Sequence, residues 1–344
     1  MAKICLRALF TVPPATPEEL LGNVKRCVSV FEPERLQALK PAPEEEIQAL
    51  EQLALEKYGR SIPPAFRQYL LEMGTEDGGI LSRHMGEEWR GGQNGLNTAS
   101  RTKHYMEYKT RMGRGFEDFV RDRSPGCPPF WNFFYAALAE QTCGFSPCTD
   151  DPDELVHSDA WRFYYPQYTF SKLLFYCAYS DLLRWVLTNG KHMRYRPGTF
   201  SAGYSCIHKM TFLAWCPPEW TVTGHAPLAE FLRELEDAYS LEPCWFSSDK
   251  EFCLYDLNRQ PTDEENHFAR YAAFHKSSGL TLCIAYHTWY KHSIRVTILS
   301  EDLPLTKQIS DAILERAALE EGKMELRQLD WKQVPGWLSF SEWW

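Results

Sequence analysis

The stretch from Glu44 to Ile80 decides the fold, and it reads EEEIQALEQLALEKYG (44–59), RSIPPAFRQYLLEMG (60–74) and TEDGGI (75–80). It predicts two short amphipathic helices joined at a Pro-Pro dipeptide and closed by a glycine turn. In the first helix, apolar side chains recur at helical spacing while glutamates occupy the opposite face. The apolar positions are Ile47, Leu50, Ala54 and Tyr58.

The second predicted helix begins at a proline pair and carries its own apolar face. Pro63 and Pro64 favour a helix start, because proline suits the first turn and disfavours helical backbone in the residue before it. The apolar positions are Phe66, Tyr69, Leu70 and Met73. Gly74 is predicted to end this helix in the left-handed conformation.

Residues 62–71, Ile-Pro-Pro-Ala-Phe-Arg-Gln-Tyr-Leu-Leu, precede the pair Gly78-Gly79. With the acidic helix before it, this segment resembles the SUKH superfamily, which includes the Smi/Knr cell-wall regulators of yeast and many bacterial immunity proteins. The family signature is a proline-led helix of the form Leu-Pro-x-x-aromatic/Leu-Arg-x-aromatic-Leu, followed by Asn-Gly-Gly. Here the asparagine is absent and residues 75–77 separate the helix from the glycines. The resemblance implies a SUKH-like α+β domain that neutralises a cognate toxin by binding it.

Length and charge restrict the class of protein. A chain of 344 residues can bury a large core and predicts two domains. Its net charge of −9 argues against general affinity for nucleic acid or anionic membrane and favours a basic partner. The start, MAKICLRALFTV, lacks the features of a signal peptide and alternates like a strand. The apolar run at 173–187 is too short to cross a membrane, so we expect a cytoplasmic protein.

The eleven cysteines are expected to be reduced thiols, several of them buried as small apolar side chains. Cys177, Cys253 and Cys283 lie in apolar runs that suit this role. The strongest metal candidate joins Cys143, Cys148 and His157, but its spacing lacks the paired Cys-x-x-Cys pattern of zinc sites. We therefore expect no metal and no cofactor.

The organisation along the chain suggests an α+β protein of two domains. Residues 1–209 are predicted to form a SUKH-like domain with a long irregular insertion at 82–128, which is rich in glycine, serine and charge. An apolar helix is predicted from Thr169 to Asn189, buried because it is apolar nearly all round. Residues 210–344 are predicted to form a second α+β domain with a mostly antiparallel sheet and flanking helices.

Within the second domain the sequence predicts the order helix, hairpin, helix, hairpin, helix. Pro227 opens the first helix, and segments 244–246 and 252–257 form the first hairpin. A capping box at Thr262 and Glu265 predicts the second helix, carrying Phe268, Tyr271 and Ala272. The second hairpin joins 280–289 to 293–299. The last helix carries Leu305, Ile309, Ala312 and Ile313 and is predicted to stop at Gly322.

The sequence has no complete catalytic motif, and two functional alternatives remain open. A hydrolase or nuclease-like enzyme could assemble its site around Cys143 and His157, or around Ser205 and His208, if the fold brings either pair within hydrogen-bond reach. A nucleic-acid-contacting adaptor could use residues 101–123, where basic and aromatic side chains alternate. Acidic residues in the same stretch make a solvated helix face the competing interpretation.

The leading expectation is a non-enzymatic protein-binding protein, which the resemblance to the SUKH superfamily implies is the immunity protein of a toxin–antitoxin pair. The expected contact residues are Glu76 and Asp77 in the acidic turn and neighbouring Trp89. Trp343 and Trp344 at the C-terminus are included because tryptophan is enriched at interface hot spots, although packing of this tail on its own domain is the competing interpretation. The expected partner is a protein, a toxin with a basic surface.

Overall fold

A computed structural model gives the architecture for most of the chain. The residues that it describes are 6–81, 98–107, 131–136, 141–145, 150–159, 162–164, 169–188, 206–217, 226–247, 268–275, 280–287, 293–300, 302–319 and 325–330. They form two compact units, an N-terminal unit (Pro14–Asp181) and a C-terminal unit (Met1–Pro13 with Leu182–Trp344). The fold is mixed α+β, as the sequence predicts.

The N-terminal unit starts with helices that pack on one another. Their bounds are α2 Pro17–Phe31, a 3₁₀ helix Pro33–Ala38, α3 Glu44–Tyr58 and α4 Pro64–Met73, following α1 Leu6–Thr11 of the other unit. Helices α3 and α4 confirm the predicted pair. The predicted apolar positions are buried, apart from Tyr58, which is half-buried. The amphipathic pattern was reliable because these helices bury one face and leave the other in water.

Part of the predicted irregular insertion is helical. Helix α5, Thr98–Glu107, lies inside the range 82–128, and its Ala99, Thr102 and Met106 side chains are buried. The prediction of an irregular segment is therefore wrong for these ten residues. Apolar and small side chains recur there every three or four residues and give the helix a packed face. The rest of the insertion lies outside the described residues.

A four-stranded antiparallel meander follows in the N-terminal unit. Its strands are β1 Trp131–Ala136, β2 Gln141–Phe145, β3 Leu155–Asp159 and β4 Arg162–Tyr164, in sequential order. Helix α6, Phe170–Thr188, confirms the predicted apolar helix. Phe145 of β2 packs against Phe66 and Phe170, with ring centroids 5.3 and 5.9 Å away. This aromatic group joins the meander to α4 and α6 in one core.

The C-terminal unit is an antiparallel sheet built around five strands. These are β5 Cys206–Trp215, β6 Leu241–Pro243, β7 Phe268–His275, β8 Thr281–His287 and β9 Ser293–Ser300, in the order β6-β7-β8-β9-β5. Two short strands, β10 Ala318–Leu319 and β11 Glu325–Asp330, pair one after the other with the outer side of β5. The β8–β9 hairpin confirms the predicted second hairpin.

Two helices cover one face of this sheet. Helix α7, Ala226–Tyr239, begins beside Pro227 as predicted, and α8 is Leu303–Arg316. Their apolar side chains share a core with alternate residues of the central strands, such as Phe212, Ile284 and Val296. Helix α8 is capped by Asp302, whose side chain accepts from Leu305 N. The helix ends at Arg316, so the predicted stop at Gly322 is wrong.

Two predicted elements have the opposite secondary structure. The helix predicted after the capping box is strand β7, in which Tyr271, Ala272, Ala273 and Phe274 are all buried. A strand buried on both faces shows no alternation, so the sequence pattern did not reveal it. The strand predicted at the N-terminus is helix α1. Its Phe10 stacks on Phe274 at 5.2 Å, and this packing outweighs the weak local alternation.

None of the helices in the described part of the chain is long and apolar enough to cross a membrane.

Candidate functional site

The acidic turn after α4 is fixed by backbone pairing with the segment that precedes α3. Lys40 N donates to Glu76 O at 2.9 Å, and Thr75 N donates to Lys40 O at 2.9 Å. Thr75 Oγ1 also donates to Pro41 O at 2.8 Å. These bonds hold the turn against a neighbouring stretch of chain, so its backbone is set by tertiary structure as well as by its own sequence.

Glycine is needed in this turn for two different reasons. Gly74 ends α4 with a φ of −69°, so the predicted left-handed conformation is wrong. A Cβ atom on Gly74 would lie 2.6 Å from Leu70 O and 2.9 Å from Ala42 Cβ, so close packing requires the glycine. Gly78 has a φ of +62°, and a Cβ atom there would lie 2.6 Å from Arg35 O. Both left-handed backbone and lack of space exclude a side chain at Gly78.

The side chain of Asp77 is buried within the turn and holds its backbone by hydrogen bonds. Its carboxylate is buried, accepts from Gly79 N at 2.8 Å and Leu81 N at 2.7 Å, and receives the Tyr69 hydroxyl at 3.4 Å. A buried carboxylate that accepts backbone N–H groups stabilises the loop and is withdrawn from solvent. The contacts that Asp77 makes in the structure are therefore structural, and its expected role as a contact residue stays a prediction.

Arg35 closes the other side of the turn. Its Nε donates to Gly78 O at 2.7 Å, and its Nη1 donates to Asp181 Oδ2 at 2.6 Å and to Glu32 Oε2 at 3.1 Å. The guanidinium also lies 5.8 Å from the centre of the Phe31 ring. Arg35 and Asp181 are both buried, so this ion pair connects the 3₁₀ helix, the turn and α6 in a site with little water.

Glu76 is the exposed member of the acidic turn. Its backbone is fixed by Lys40, while Glu44 and Glu45 at the start of α3 are exposed on the next segment. Carboxylates in the first turn of a helix are stabilised by its dipole. Glu44 also lies 3.8 Å from Nη2 of Arg67, so contacts within the chain contribute to its position. Of the other expected contact residues, Trp89, Trp343 and Trp344 lie outside the described residues.

The fold brings together two residues of the metal candidate. Cys143 of β2 and His157 of β3 are direct Cα partners, whereas Cys148 lies outside the described residues. Within the described ranges, no group of three or more histidine, cysteine, aspartate or glutamate side chains could hold a metal ion. The arrangement is a cysteine–histidine pair, and the expectation that the protein holds no metal stays a prediction.

The other enzymatic candidate is only partly described. His208 lies on β5, opposite Ser300 of β9, while Ser205 falls outside the described residues. In the stretch 101–123 proposed to contact nucleic acid, Arg101 and Lys103 lie on α5 and are half-buried, and residues 108–123 are outside the described part. The described residues bring together neither a complete catalytic group nor a basic aromatic surface at these two places.

The buried cysteines fit the expected role of small apolar side chains. Cys177 on α6 and Cys283 on β8 are buried thiols outside any disulfide, as predicted, and Cys253 lies outside the described residues. Burial raises the pKa of the Cys27 and Cys244 thiols far above the ordinary range. Such thiols stay protonated at neutral pH and are poor nucleophiles.

Asp153 is a second carboxylate with a structural role, and its side chain is half-buried. Its Oδ2 accepts from Ser171 N at 3.0 Å and Ser171 Oγ at 2.6 Å, which caps the start of α6. Burial raises the pKa of Asp153 to about 6, although the bonds from Ser171 oppose this and nearby Asp151 adds to it. A carboxyl with this pKa changes charge just below neutral pH, so its contribution to stability depends on pH.

Compared with known proteins, the chain matches no protein-family model, no curated protein and no solved structure.

Sequence reasoning missed the structural roles of Arg35, Asp77 and Asp153. For Asp77 a local signal existed, because aspartate followed by Gly-Gly is typical of a turn in which the side chain bonds the backbone two residues on. For Arg35 and Asp153 the partners are distant in sequence, 146 residues away for Asp181 and 18 for Ser171. No local pattern could have identified those pairs.

Proposed function

We propose that this chain is a non-enzymatic protein-binding protein that neutralises a cognate toxin by stoichiometric complex formation, as the resemblance to the SUKH superfamily implies. The observation that carries the proposal is the turn at 74–81, where an internal network fixes the backbone and leaves Glu76 exposed. A contact residue on a preorganised loop loses little conformational entropy on binding. Residues 74–81 are called the acidic turn below.

Charge supports a basic protein as the partner. The chain carries a net charge of −9, and Glu76 lies beside a segment that leads directly to Glu44 and Glu45. Negative side chains on one face attract a basic surface at long range and accelerate encounter, with a strong dependence on salt. Because Asp77 is buried and bonds the backbone of the acidic turn, Glu76 is the residue proposed to meet the partner.

The test starts with the partner itself. Affinity purification from the native host, with mass spectrometry of the retained proteins, provides a candidate, which is then expressed and assayed for its own activity. Titration with this chain is expected to end that activity near one equivalent. Turnover of the partner by substoichiometric amounts of the chain would overturn the proposal in favour of an enzyme.

A pair of charge variants locates the contact. Glu76→Lys is expected to slow association by roughly fivefold at low salt, with a smaller change in dissociation, because an exposed charge acts mainly on encounter. Glu56→Lys makes the same charge change on an exposed site of α3, about 18 Å along the helix from Glu44. Equal effects of the two variants would show that only net charge matters and that the acidic turn is not the contact.

The alternative function, a hydrolase or nuclease-like enzyme, has one observation in its favour. Cys143 and His157 are Cα partners on neighbouring strands, and a thiol nucleophile needs a base close to it in the fold. The two functions predict different stoichiometry in the same titration. A binding protein inhibits at one equivalent, whereas an enzyme acts at a small fraction of an equivalent and loses that action in Cys143→Ser.

A further inference from the structure

Helix α1 belongs to a different compact unit from the helix that follows it. It is part of the C-terminal unit, whereas α2 lies in the N-terminal unit, which begins at Pro14. The whole N-terminal unit therefore lies between α1 and the remainder of the C-terminal unit in the sequence. Helix α1 is held in the C-terminal unit by contacts as distant in sequence as Trp245, which is 236 positions from Leu9.

Three aromatic residues hold α1. Phe10 is buried, stacks on Phe274 with ring centroids 5.2 Å apart, and meets Phe246 edge-on at 6.1 Å. Trp245 binds the end of the helix, since its backbone N donates to Phe10 O and its indole Nε1 donates to Leu9 O, each at 2.9 Å. Carbonyls in the last turn of a helix have no partner within that helix, so Trp245 supplies two bonds that α1 cannot make itself. Trp245, Phe246 and Phe274 are called the α1-binding surface below.

The α1-binding surface is fixed by contacts that do not involve α1. Residues 244–247 form a turn in which Ser247 N donates to Cys244 O at 3.0 Å. Cys244 N donates to Ala272 O at 2.8 Å, and Ser247 Oγ both accepts from Ala272 N and donates to Ala272 O at 2.9 Å. The turn is therefore attached to strand β7, which also carries Phe274. A surface that is organised in advance loses little conformational entropy on binding, whichever chain supplies the helix.

Helix α1 depends on this surface for its own structure. It has only six residues, and isolated helices shorter than about 12–15 residues are marginal in water. The burial of Leu9 and Phe10 and the two bonds from Trp245 supply what the short helix lacks. Helix α1 is therefore held in the manner of a bound peptide.

The chain between α1 and α2 is short, exposed and rich in proline. It consists of the five residues 12–16, all of them exposed except Pro14. Val12 and Pro13 each precede a proline, which disfavours helical backbone at both positions. Proline-rich linkers are extended, semi-rigid spacers. A change of a few backbone angles in this linker therefore redirects α1 without unfolding α2.

We propose that the α1-binding surface also accepts α1 from a second copy of this chain, so that two copies pair by exchanging their N-terminal helices. The occupant is identified by fit, because every copy carries the helix that the surface already binds. Mutual exchange gives a closed dimer in which each helix makes the contacts described above, with only the linker in a new conformation. The exchange goes beyond the proposed function, uses a different surface from the acidic turn, and needs no other protein for its test.

The balance between the monomer and the exchanged dimer depends on protein concentration. Within one chain, a short linker presents α1 to its own surface at an effective concentration in the millimolar range. Exchange therefore competes during folding when the protein itself approaches about 1 mM. Once formed, the dimer separates slowly on dilution, because both helices must leave their surfaces before the two copies can part.

The first test refolds the full-length protein from urea at concentrations from about 1 μM to about 1 mM, and measures its mass by size-exclusion chromatography with light scattering. The dimer is expected to be below about 5% of the protein at the lowest concentration and roughly half of it at the highest. Phe10→Ala should leave α1 undocked in both forms and remove the dimer, because the buried ring anchors the helix. The matched control is Val12→Ala, which shortens an exposed side chain of the linker and should leave the dimer unchanged.

The second test distinguishes exchange from association through some other surface. Phe10→Ala has an intact α1-binding surface and a defective helix, whereas Trp245→Ala has an intact helix and a defective surface. Each variant alone is expected to be monomeric, because neither contains a complete pair. A mixture of the two contains one intact helix and one intact surface and should form a heterodimer, which native mass spectrometry identifies when one variant is isotope-labelled.

Four results would overturn the proposal. The wild type could be monomeric at every concentration, the dimer could persist in Phe10→Ala, or the mixed variants could associate no more than each does alone. Retention of a different protein by the α1-binding surface, with the wild-type chain monomeric, would count against it equally. If Phe10→Ala fails to fold, Phe10→Leu replaces it, because leucine keeps an apolar side chain and removes the ring that stacks on Phe274.

Discussion

Replacing Arg35 with methionine is expected to destabilise the N-terminal unit strongly. The substitution keeps a long apolar side chain and removes the guanidinium that bonds Gly78 O, Asp181 and Glu32. Asp181 would then remain buried, with 2% of its side chain exposed, without the cation 2.6 Å away. Removing the cation from a buried ion pair is among the few single changes that cost much of the stability of a domain.

The magnitude follows from the partners that are lost. Breaking a buried ion pair by removing one member costs about 3–5 kcal/mol. The bond from Arg35 Nε to Gly78 O adds about 1 kcal/mol. One offset exists, because Nη2 of Arg35 is buried and finds no hydrogen-bond partner among the described residues. We therefore expect a loss of about 4 kcal/mol in the free energy of unfolding, or roughly 10 °C in Tm.

A double-mutant cycle with Asp181→Asn isolates the charge pair. In the wild type this substitution should cost about 2 kcal/mol, because a charge-assisted bond is weakened. In the Arg35→Met background it should restore stability, because a neutral amide replaces a buried carboxylate that has lost its cation. Urea unfolding followed by circular dichroism measures all four proteins, and an unchanged m-value would show that the same amount of structure unfolds in each.

Additive effects of Arg35→Met and Asp181→Asn on the free energy of unfolding would refute the coupling of the two residues. If Asp181→Asn lowers stability equally in both backgrounds, Arg35 and Asp181 are not coupled. The cost of Arg35→Met would then come from lost packing on Phe31 and from the freed turn at Gly78.

Two further predictions concern buried polar groups. Asp153 has a folded pKa of about 6, raised from 3.8 by burial, so the folded state holds the proton more tightly than the unfolded state between these values. Its contribution to stability is therefore complete below about pH 4 and is lost as pH rises through 6, to an extent of about 2 kcal/mol. Asp153→Asn should abolish this loss, and a constant difference between variant and wild type from pH 4 to 7 would contradict it. Thr297 of β9 is buried, and its hydroxyl has no hydrogen-bond partner within the described structure. Thr297→Val should raise stability by about 1 kcal/mol, whereas the control Thr306→Val, which removes a donor to Asp302 O at 2.9 Å, should lower it by a similar amount. Thermal denaturation of both variants checks this prediction, which fails if the two changes have the same sign.

The sequence was informative where an element buries one face. Helices α3, α4 and α7 have apolar residues at helical spacing and polar residues elsewhere, so the pattern predicted them directly. Helix α6 was found because a long apolar run with few turn residues exceeds the length of a buried strand. The β8–β9 hairpin was found from two runs rich in β-branched and aromatic residues.

The sequence misled where packing overrides a local signal. The Thr-x-x-Glu pattern at 262–265 is typical of a helix start, yet Tyr271 and Phe274 bury opposite faces of strand β7. Helix α1 is held by Phe10, which stacks on Phe274 and meets Phe246 edge-on at 6.1 Å. Those two partners lie more than 230 positions away in the sequence, so no local window contains the information.

The sequence also predicted some features of the candidate sites and left others undetermined. An acidic turn after α4 could be predicted, because Glu76 and Asp77 follow a helix and precede two glycines. Which carboxylate faces water could not be predicted, since this depends on Tyr69 and on the backbone at 79–81. Cys143 and His157 are Cα partners only because of the register of β2 on β3, and the sequence alone does not determine that register.

The two edges of the large sheet have a consequence for the behaviour of the protein at high concentration. Among the described strands the outermost on one side is β6, which is only three residues long and ends in Pro243, a residue with no N–H to offer a further strand. The other is the interrupted pair β10 and β11, and β11 carries Glu325, Arg327 and Asp330. Short, broken, charged or proline-bearing edges discourage the addition of strands from other molecules. The long hydrophobic strands β5, β8 and β9 are thereby kept from edge-to-edge aggregation, and deletion of β11 would expose β5 as a template for it.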